Sequence, residues 1–528
     1  MIVDSLQQPI QVENGVYDVV IAGAGAVGLT MAVTLSRQGK KVLVLESGGV
    51  GFEEASQAQN LHTLAGLKHL GIEEGRARIV GGTTTLWGGQ IVPFAPIDFV
   101  ARDWVENSGW PFAFADIEPH YAAIYQLLAL PEKLKDDAAV WQRLNLQLPT
   151  QNEHFDIFLT RWLKETNLKE YFKAEIIRSD FLTVLTHATV THLFFDEAAG
   201  RITQLEYTCR SGQKKLVSAP YFVLANGAIE SSRLMLWVAA QNHSVPWAAN
   251  PLVGKFYQDH LDIRAARVRL TDAKKFASYF DNILVDGCKF QPKIKFNETA
   301  QQSLQALNIA ASFIFESSLS EQIANVKLFL RALRRGAVPP AGVNLLKNLG
   351  AVLRVMLPLA IRYIRDRRIF NMHDKGIYLN LHCEQFPIEQ SQISLDFSKT
   401  DAAGMPATQL NWQVKGPEVR TMRLFCQMLD QWLRQQQLGY LEIDPRIVQE
   451  SPDVIQACTD TNHQCGGLRM ANTAAAGVVD PNCRVFGVNN LFIAGAAVFP
   501  TSSYANSTFH AMALGHRISK QILGSSAL

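Results

Sequence analysis

The sequence predicts an α/β protein in which a parallel, doubly wound sheet is built from both ends of the chain and carries a second part of sheet plus helices. Three observations lead there. Near the start, "YDVVIAGAGAVGLTMAVTLSRQGKKVLVLESGG" reads as strand, glycine turn, helix and second strand. At the end, "NNLFIAGAAVFPTSSYANSTFHAMALGHRISKQIL" reads as buried strand, turn and helix with apolar spacing. Between them lie strand-like runs with no second nucleotide motif.

The first unit opens on Val19-Val20-Ile21-Ala22, β-branched and apolar on both faces, as a buried parallel strand requires. Gly23, Gly25 and Gly28 then form G-x-G-x-x-G. Gly23 permits the turn, Gly25 lets backbone approach a pyrophosphate, and Gly28 lets helix and strand pack closely. A helix starting near residue 25, at Ala26, offers unpaired N–H groups to phosphate. The second strand, "KVLVLE", ends in Glu46, followed by Ser47, where an acid hydrogen-bonds a ribose diol. An acid there disfavours a 2′-phosphate, so the dinucleotide is FAD or NAD rather than NADP.

The totals bound the rest. A chain of 528 residues points to two to four domains. Its 48% hydrophobic and 19% charged residues are an ordinary globular balance. A formal net charge of +2 gives no global field toward nucleic acid. The seven cysteines (Cys209, Cys288, Cys383, Cys426, Cys458, Cys465, Cys483) are scattered and odd in number, which suits reduced thiols in a cytoplasmic protein better than a disulfide framework. The first fifteen residues lack the basic and apolar regions of a secretory signal. No uninterrupted apolar run approaches the roughly 18 to 20 residues of a spanning helix.

Several stretches, in order, resemble the glucose–methanol–choline (GMC) oxidoreductase family of FAD enzymes. They are "RIVGGTTTLWGGQ" (78–90), "GWPFAFADIEPHY" (109–121), "YFVLANGAIESSRLML" (221–236), "NPLVGKFYQDH" (250–260), "EQFPIEQSQISLDFSKTDAAGMP" (384–406) and the block running from "NHQCGGLRM" to "STFHAMAL". The resemblance implies an FAD-binding Rossmann-like domain, discontinuous over 16–95, 186–265 and 456–528. A substrate domain is then expected over 96–185 and 266–455. It implies cofactor contacts from Gly82, Thr83, Thr84, Leu86, Trp87 and Gly89 in the flavin loop. Further contacts are expected from Val190, Ala225, Gly495, Ala496, Ser507 and Thr508. Leu86 stands where some sugar oxidases of this type have a flavin-linked histidine, so FAD is expected to be noncovalent. Gly466-Gly467 departs from the commoner Gly-Thr pair.

By the same resemblance His463 and Asn506 face the flavin. The chemistry asks for these residue types. Oxidising an alcohol removes a hydroxyl proton and a hydride, so neutral imidazole suits the first task and an orienting amide holds the same oxygen. A metal reading of Cys458, His463, Cys465 and Cys483 lacks any C-x-x-C or H-x-x-x-H spacing, and no metal is expected. His260 and His510 are expected behind the site, Cys465 as packing, and Glu384 and Gln385 either at the substrate side or in strand packing. The expected activity is oxidation of a CH–OH group on an alcohol or sugar-like substrate, with oxygen, a quinone or another electron acceptor as partner. A GMC-fold lyase or a non-catalytic flavin-containing protein that binds a ligand or docks on a membrane is the alternative.

The middle predicts a sheet built partly by "GIYLNLHCEQF", "QISLDF" and "TQLNWQV". Residues 326–370 are basic and apolar at helical spacing, with arginines at 331, 334, 335, 354, 362, 365, 367 and 368. That pattern suits either a helix pair packed on the substrate domain or an amphipathic hairpin in peripheral contact with a membrane.

Overall fold

Val19–Ala22 (β2), four fully buried residues, forms the strand expected from its bilateral hydrophobicity and lies inside a parallel sheet. The protein is described by a computed structural model covering residues 1–6, 16–131, 134, 136–146, 153–318, 361–369 and 371–524. Among these, six parallel strands run in the order β1 (Ile2–Asp4), β7 (Leu182–Thr186), β3 (Val42–Leu45), β2, β11 (Tyr221–Leu224) and β20 (Leu491–Ile493). The order brings the first and last parts of the chain onto either side of β11. Gly23 at φ 101° makes the turn after β2, and helix α1 (Ala26–Ser36) follows with Gly25 as its N-cap. A Cβ on Gly28 would lie 2.0 Å from the Gly23 carbonyl oxygen, so only glycine lets α1 pack this close to the turn. The last helix, α5 (Ser507–Gly524), packs on α1 through Gly515, whose Cβ position lies 2.8 Å from Val27.

Two neighbouring strands on one side of this sheet begin outside the residues expected for it. The edge strand Ile2–Asp4 is too short to announce itself by pattern, and Leu182–Thr186, between it and β3, ends on residue 186. Strands β8 (Ala188–Asp196), β9 (Arg201–Cys209) and β10 (Lys214–Val217) form an antiparallel meander beside the parallel sheet.

A second large sheet, eight-stranded among the described residues, follows the order β19 (Gly439–Ile443), β12 (Leu261–Leu270), β16 (Gly376–Cys383), β15 (Ile309–Glu316), β14 (Cys288–Phe296), β6 (Phe155–Trp162) and β5 (Gln90–Ile91), with β13 (Ile283–Val285) paired to β14. Its apolar face, with Phe296, Phe313, Leu379 and Ile263, shares a core with Phe425, Leu429 and Leu433 of helix α4 (Pro417–Gln435). The expectation that "QISLDF" and "TQLNWQV" join this sheet is corrected. They form the hairpin β17 (Gln392–Thr400) and β18 (Pro406–Asn411), and β18 pairs in parallel with β4 (His62–Leu64). The N-terminal segment supplies a free edge there, and local alternation does not say which edge a strand will find. Of the basic segment, 326–360 and residue 370 lie outside the described residues. In 361–369, Arg362 bonds Asp281 and Arg368 is buried, with its guanidinium on the Asp281 carbonyl. No helix among the described residues is long and apolar enough to cross a membrane.

Candidate active site

An open cleft runs over the carboxyl ends of the parallel strands. Its lining joins the glycine turn to the start of the last helix, which suits an extended dinucleotide. Its floor is the turn after β2, where the Cβ position of Gly25 meets nothing within 4 Å and the backbone stands open to the cleft. Ala26, Glu46, Ser47, Gly82, Thr83, Val190 and Ala225 line it, as do Gly495, Ala496, Ser507 and Thr508. Gly495 and the start of α5 close one side, so both chain ends contribute. Glu46 accepts from Ala24 N at 2.9 Å and Gly48 N at 2.9 Å, and burial pushes its carboxyl above the usual range against these bonds.

The remaining expected contacts sit elsewhere. Gly28 packs behind the turn. The Thr84 hydroxyl donates to the Gly81 carbonyl at 2.6 Å and receives Leu168 N at 3.1 Å, holding the loop itself. Leu86 is 54% exposed, Trp87 donates its indole N–H to the Thr166 carbonyl, and Gly89 (φ 76°) abuts Leu163 and Thr166. None of these five lines the cleft.

Sequence reasoning missed an ionic cluster on one cleft wall. Arg76, Arg78 and Glu230 line it, with Asn60, Asn462 and Gln464. Glu230, on helix α3 (Gly227–Gln241), receives Arg76 at 2.7 Å, Arg78 at 2.6 Å and Arg233 at 3.3 Å. Burial would raise its carboxyl, but the charges of Arg78, Arg233 and Arg76 bring it down to about 2. The "GRAR" that leads into the flavin loop was the available signal.

His463 and Asn506, 43 residues apart, meet: the Asn506 amide nitrogen lies 2.8 Å from His463 Nε2. An amide nitrogen can only donate, so Nε2 holds a lone pair and the ring proton belongs on Nδ1. Nδ1 lies 2.7 Å from the Thr461 hydroxyl and 2.9 Å from His260 Nδ1. His260 Nε2 faces the Ser502 carbonyl at 3.1 Å and must donate to it, which leaves its Nδ1 as an acceptor. One assignment thus satisfies the whole chain from Ser502 to Asn506. Beneath it, Asp259 Oδ1 accepts from His260 N (2.8 Å), His463 N (3.0 Å), Thr461 N (3.2 Å) and the Thr461 hydroxyl (3.1 Å). Its Oδ2 lies 3.2 Å from His69 Nε2. Burial opposes this charge, yet the His69 hydrogen bond and the neighbouring histidines bring Asp259 down to about 2. Burial first, then the charge of His260, lowers His463 to about 3, with Asp259 opposing. His463 is therefore neutral at any ordinary pH.

His510 stacks on Phe94 at 4.2 Å and its Nδ1 meets the Tyr121 hydroxyl, behind the site. Cys465 is buried packing. Glu384 and Gln385 are fully buried: Glu384 takes a two-pronged Arg102 at 2.7 Å, and Gln385 accepts from Asp259 N and the Trp412 indole. Both serve strand packing, not the substrate side. Gly466 (φ 76°) and Gly467 (φ 90°) explain the departure from Gly-Thr, because a Cβ on Gly467 would lie 2.3 Å from the Ser232 hydroxyl. Among the described residues His69, Asp259 and Asp460 also sit close enough to hold a metal, but Asp460 is already spent on Leu70 N and Gly71 N.

Residues 387–515 match the family described as GMC oxidoreductase, and 18–118 match FAD dependent oxidoreductase. Among curated proteins, the chain is 31% identical over 127 residues to 6'''-hydroxyparomomycin C oxidase of Streptomyces lividus, covering 22% of this chain and 23% of that one. It is 22% identical over 329 residues to 2-methyl-1,2-propanediol dehydrogenase of Mycolicibacterium austroafricanum, covering 60% of this chain and 51% of that one. The chain thus spans about half or less of the curated relatives it matches. Pyridoxine 4-oxidase from Mesorbium loti superposes with a TM-score of 0.58 at 16% identity, over 97% of this chain and 100% of that one. A fungal aryl-alcohol oxidase superposes with a TM-score of 0.56 at 16% identity, over 96% and 98%. These two likenesses are of fold. The carboxy-terminal block 387–515 is thus of GMC oxidoreductase type, the amino-terminal part is of FAD dependent oxidoreductase type, and the fold is that of the two solved oxidases.

Proposed function

We propose that this protein is an FAD-dependent oxidoreductase that converts a CH–OH group of an alcohol or sugar-like substrate to a carbonyl, with His463 as base and Asn506 as orienting donor. The observation that carries it is the pairing of His463 Nε2 with the Asn506 amide at 2.8 Å, in a sequence block of GMC type, beside the cleft that opens over the glycine turn.

The cleft fits FAD in its own terms. The open backbone at Gly25 and the N-terminus of α1 suit the pyrophosphate, and Glu46 suits a ribose diol. Once bound, FAD supplies the acceptor for the hydrogen that leaves carbon with its electron pair. The residues handle the proton. His463 Nε2 presents a lone pair to the substrate hydroxyl, and Asn506 Nδ2 turns from it to hydrogen-bond the same oxygen. The hydroxyl proton then rests on Nε2 while Nδ1–H stays on Thr461 and His260, over the fixed charge of Asp259. That buried carboxylate favours the imidazolium as it forms. Leu86 offers no nucleophile to the cofactor, so FAD is held noncovalently and separates from denatured protein. The electron acceptor is oxygen, a quinone or another carrier, and the protein is cytoplasmic.

The test is an anaerobic titration of purified, FAD-loaded protein with a panel of alcohols, sugars and cyclitols, following the oxidised-flavin band. Bleaching by an alcohol, with the carbonyl product recovered in equal amount, supports the reading. Product formation by bond cleavage with the band unchanged refutes it.

A further inference from the structure

The face of the large sheet opposite its hydrophobic core is polar and runs up to His463. Its rows are fixed by register. On β12 and β16, Asp262 pairs with His382, and His382 in turn opposes Ala310 of β15. Ala310 opposes Lys295 of β14, and two residues along β14 on the same face lies Lys293, opposite Phe158 of β6. Gln291 follows, bonded to Gln90 of β5 at 2.9 Å. Phe158 packs on Tyr504 at 5.3 Å, in the loop that leads to Asn506, so this face looks onto the site. At the other end Asp262 pairs with Thr459, just before the His463 turn.

Three lysines stand on that face of β14, and two are engaged. Lys289 lies 3.7 Å from the centre of the Trp162 ring, and Lys295 lies 3.8 Å from Asp156. Lys293 differs. It is 8% exposed, yet among the described residues no hydrogen bond joins its ammonium and no carboxylate lies within 4.0 Å. Asp262, the acid whose charge bears on it, is already taken by His382 Nδ1 at 2.8 Å and Asn380 Nδ2 at 2.7 Å. The charge of Lys293 nevertheless reaches His463. An ammonium on a residue this buried, with no carboxylate paired to it, is costly unless something brought in from outside pairs with it.

We infer that Lys293 receives an oxyanion carried by the substrate, a carboxylate or phosphate ester on the same molecule as the alcohol that His463 deprotonates. A hydroxylated acid fits this site better than its neutral or cationic counterpart. Burial, partly opposed by Asp262, lowers the Lys293 ammonium to about 8, so it keeps its charge at neutral pH. An anion arriving there recovers that loss through a charge-assisted hydrogen bond. The inference rests on the reading of His463 and Asn506 as an alcohol-oxidising centre.

The experiment separates the two. FAD-loaded protein is titrated calorimetrically with an aldonic acid, an alditol phosphate, the plain alditol and an amino sugar, and flavin bleaching is followed in parallel. Wild type, Lys293→Met and Lys293→Arg are compared. The expected result is that at least one of the two anions binds about tenfold or more tightly than the alditol and the amino sugar. Lys293→Met removes that preference, raising the KM of the anion more than that of neutral alcohols, and Lys293→Arg restores part of it. Which anion binds decides between carboxylate and phosphate. Equal binding of anion and alditol, or equal losses for both in Lys293→Met, overturns the inference even if alcohols bleach the flavin. Lysine-dependent anion binding without bleaching by any alcohol leaves the oxyanion site standing and overturns the oxidation reading instead.

Discussion

The proton on His463 is placed by its neighbours rather than by its own chemistry. The Asn506 amide takes one ring nitrogen, and Thr461 and His260 take the other. That His463 and Asn506 belong together was legible in the sequence, because both lie in one motif-bearing block. Asp259 was not: it lies 204 residues from His463 in the chain and meets it only through the fold. Lys293 was equally hidden, since one lysine among many reads as a solvated charge until the register of β14 shows which face it shares. Gly467 gives a test at this scale. Gly467→Ala puts a Cβ at a φ of 90° and 2.3 Å from the Ser232 hydroxyl. It is expected to cost about 2 kcal/mol or more in urea unfolding. An unchanged midpoint would show that the turn relaxes freely.

Helix α3 does more than follow β11 in the chain. Its Glu230 gathers Arg76, Arg78 and Arg233, and fully buried Arg233 also holds Asp401 at 2.8 Å, beside the β17–β18 hairpin. The helix therefore ties the cleft wall to the hairpin and to the flavin-loop approach. Removing Glu230 leaves three guanidinium groups without their shared acid. Glu230→Ala is expected to destabilise the protein by about 3 kcal/mol and to weaken retention of FAD through gel filtration. Unchanged stability and full flavin content would contradict this role. The glycine turn, β2, β3, α1, β20 and α5 were all legible as elements because their hydrophobic period and punctuation agree. The pairing of β18 with β4 was not, because it depends on an edge offered by a segment 346 residues away.

At the scale of the whole molecule, the split of one sheet between both chain ends was legible, since each end carries its own buried strand and turn. The short edge strand Ile2–Asp4 carries no such pattern. The molecule also buries neutral histidines. His463 and His510 are lowered to about 3, and His120 and His516, 2.8 Å apart between α5 and helix α2 (Phe114–Leu127), to about 4, each chiefly by burial. Unfolding restores their ordinary value of about 6.5, so the unfolded state binds more protons below it and stability falls as pH drops. Glu418 and Asp98, raised by burial to about 7 and about 6, act in the opposite direction until the unfolded carboxylates are themselves protonated. The urea midpoint is therefore expected to decline below about pH 6.5 and steeply below about pH 4.5. A midpoint flat from neutrality to pH 4 would contradict it.

The central claim is that His463 takes the substrate proton, and the most direct measurement is the anaerobic rate of flavin reduction in wild type and His463→Ala. Both proteins are brought to the same FAD content and mixed with an alcohol that bleaches the wild type. The account predicts a rate lower by about 10²- to 10⁴-fold in His463→Ala, at unchanged flavin content. Reduction at the wild-type rate without the imidazole would contradict it.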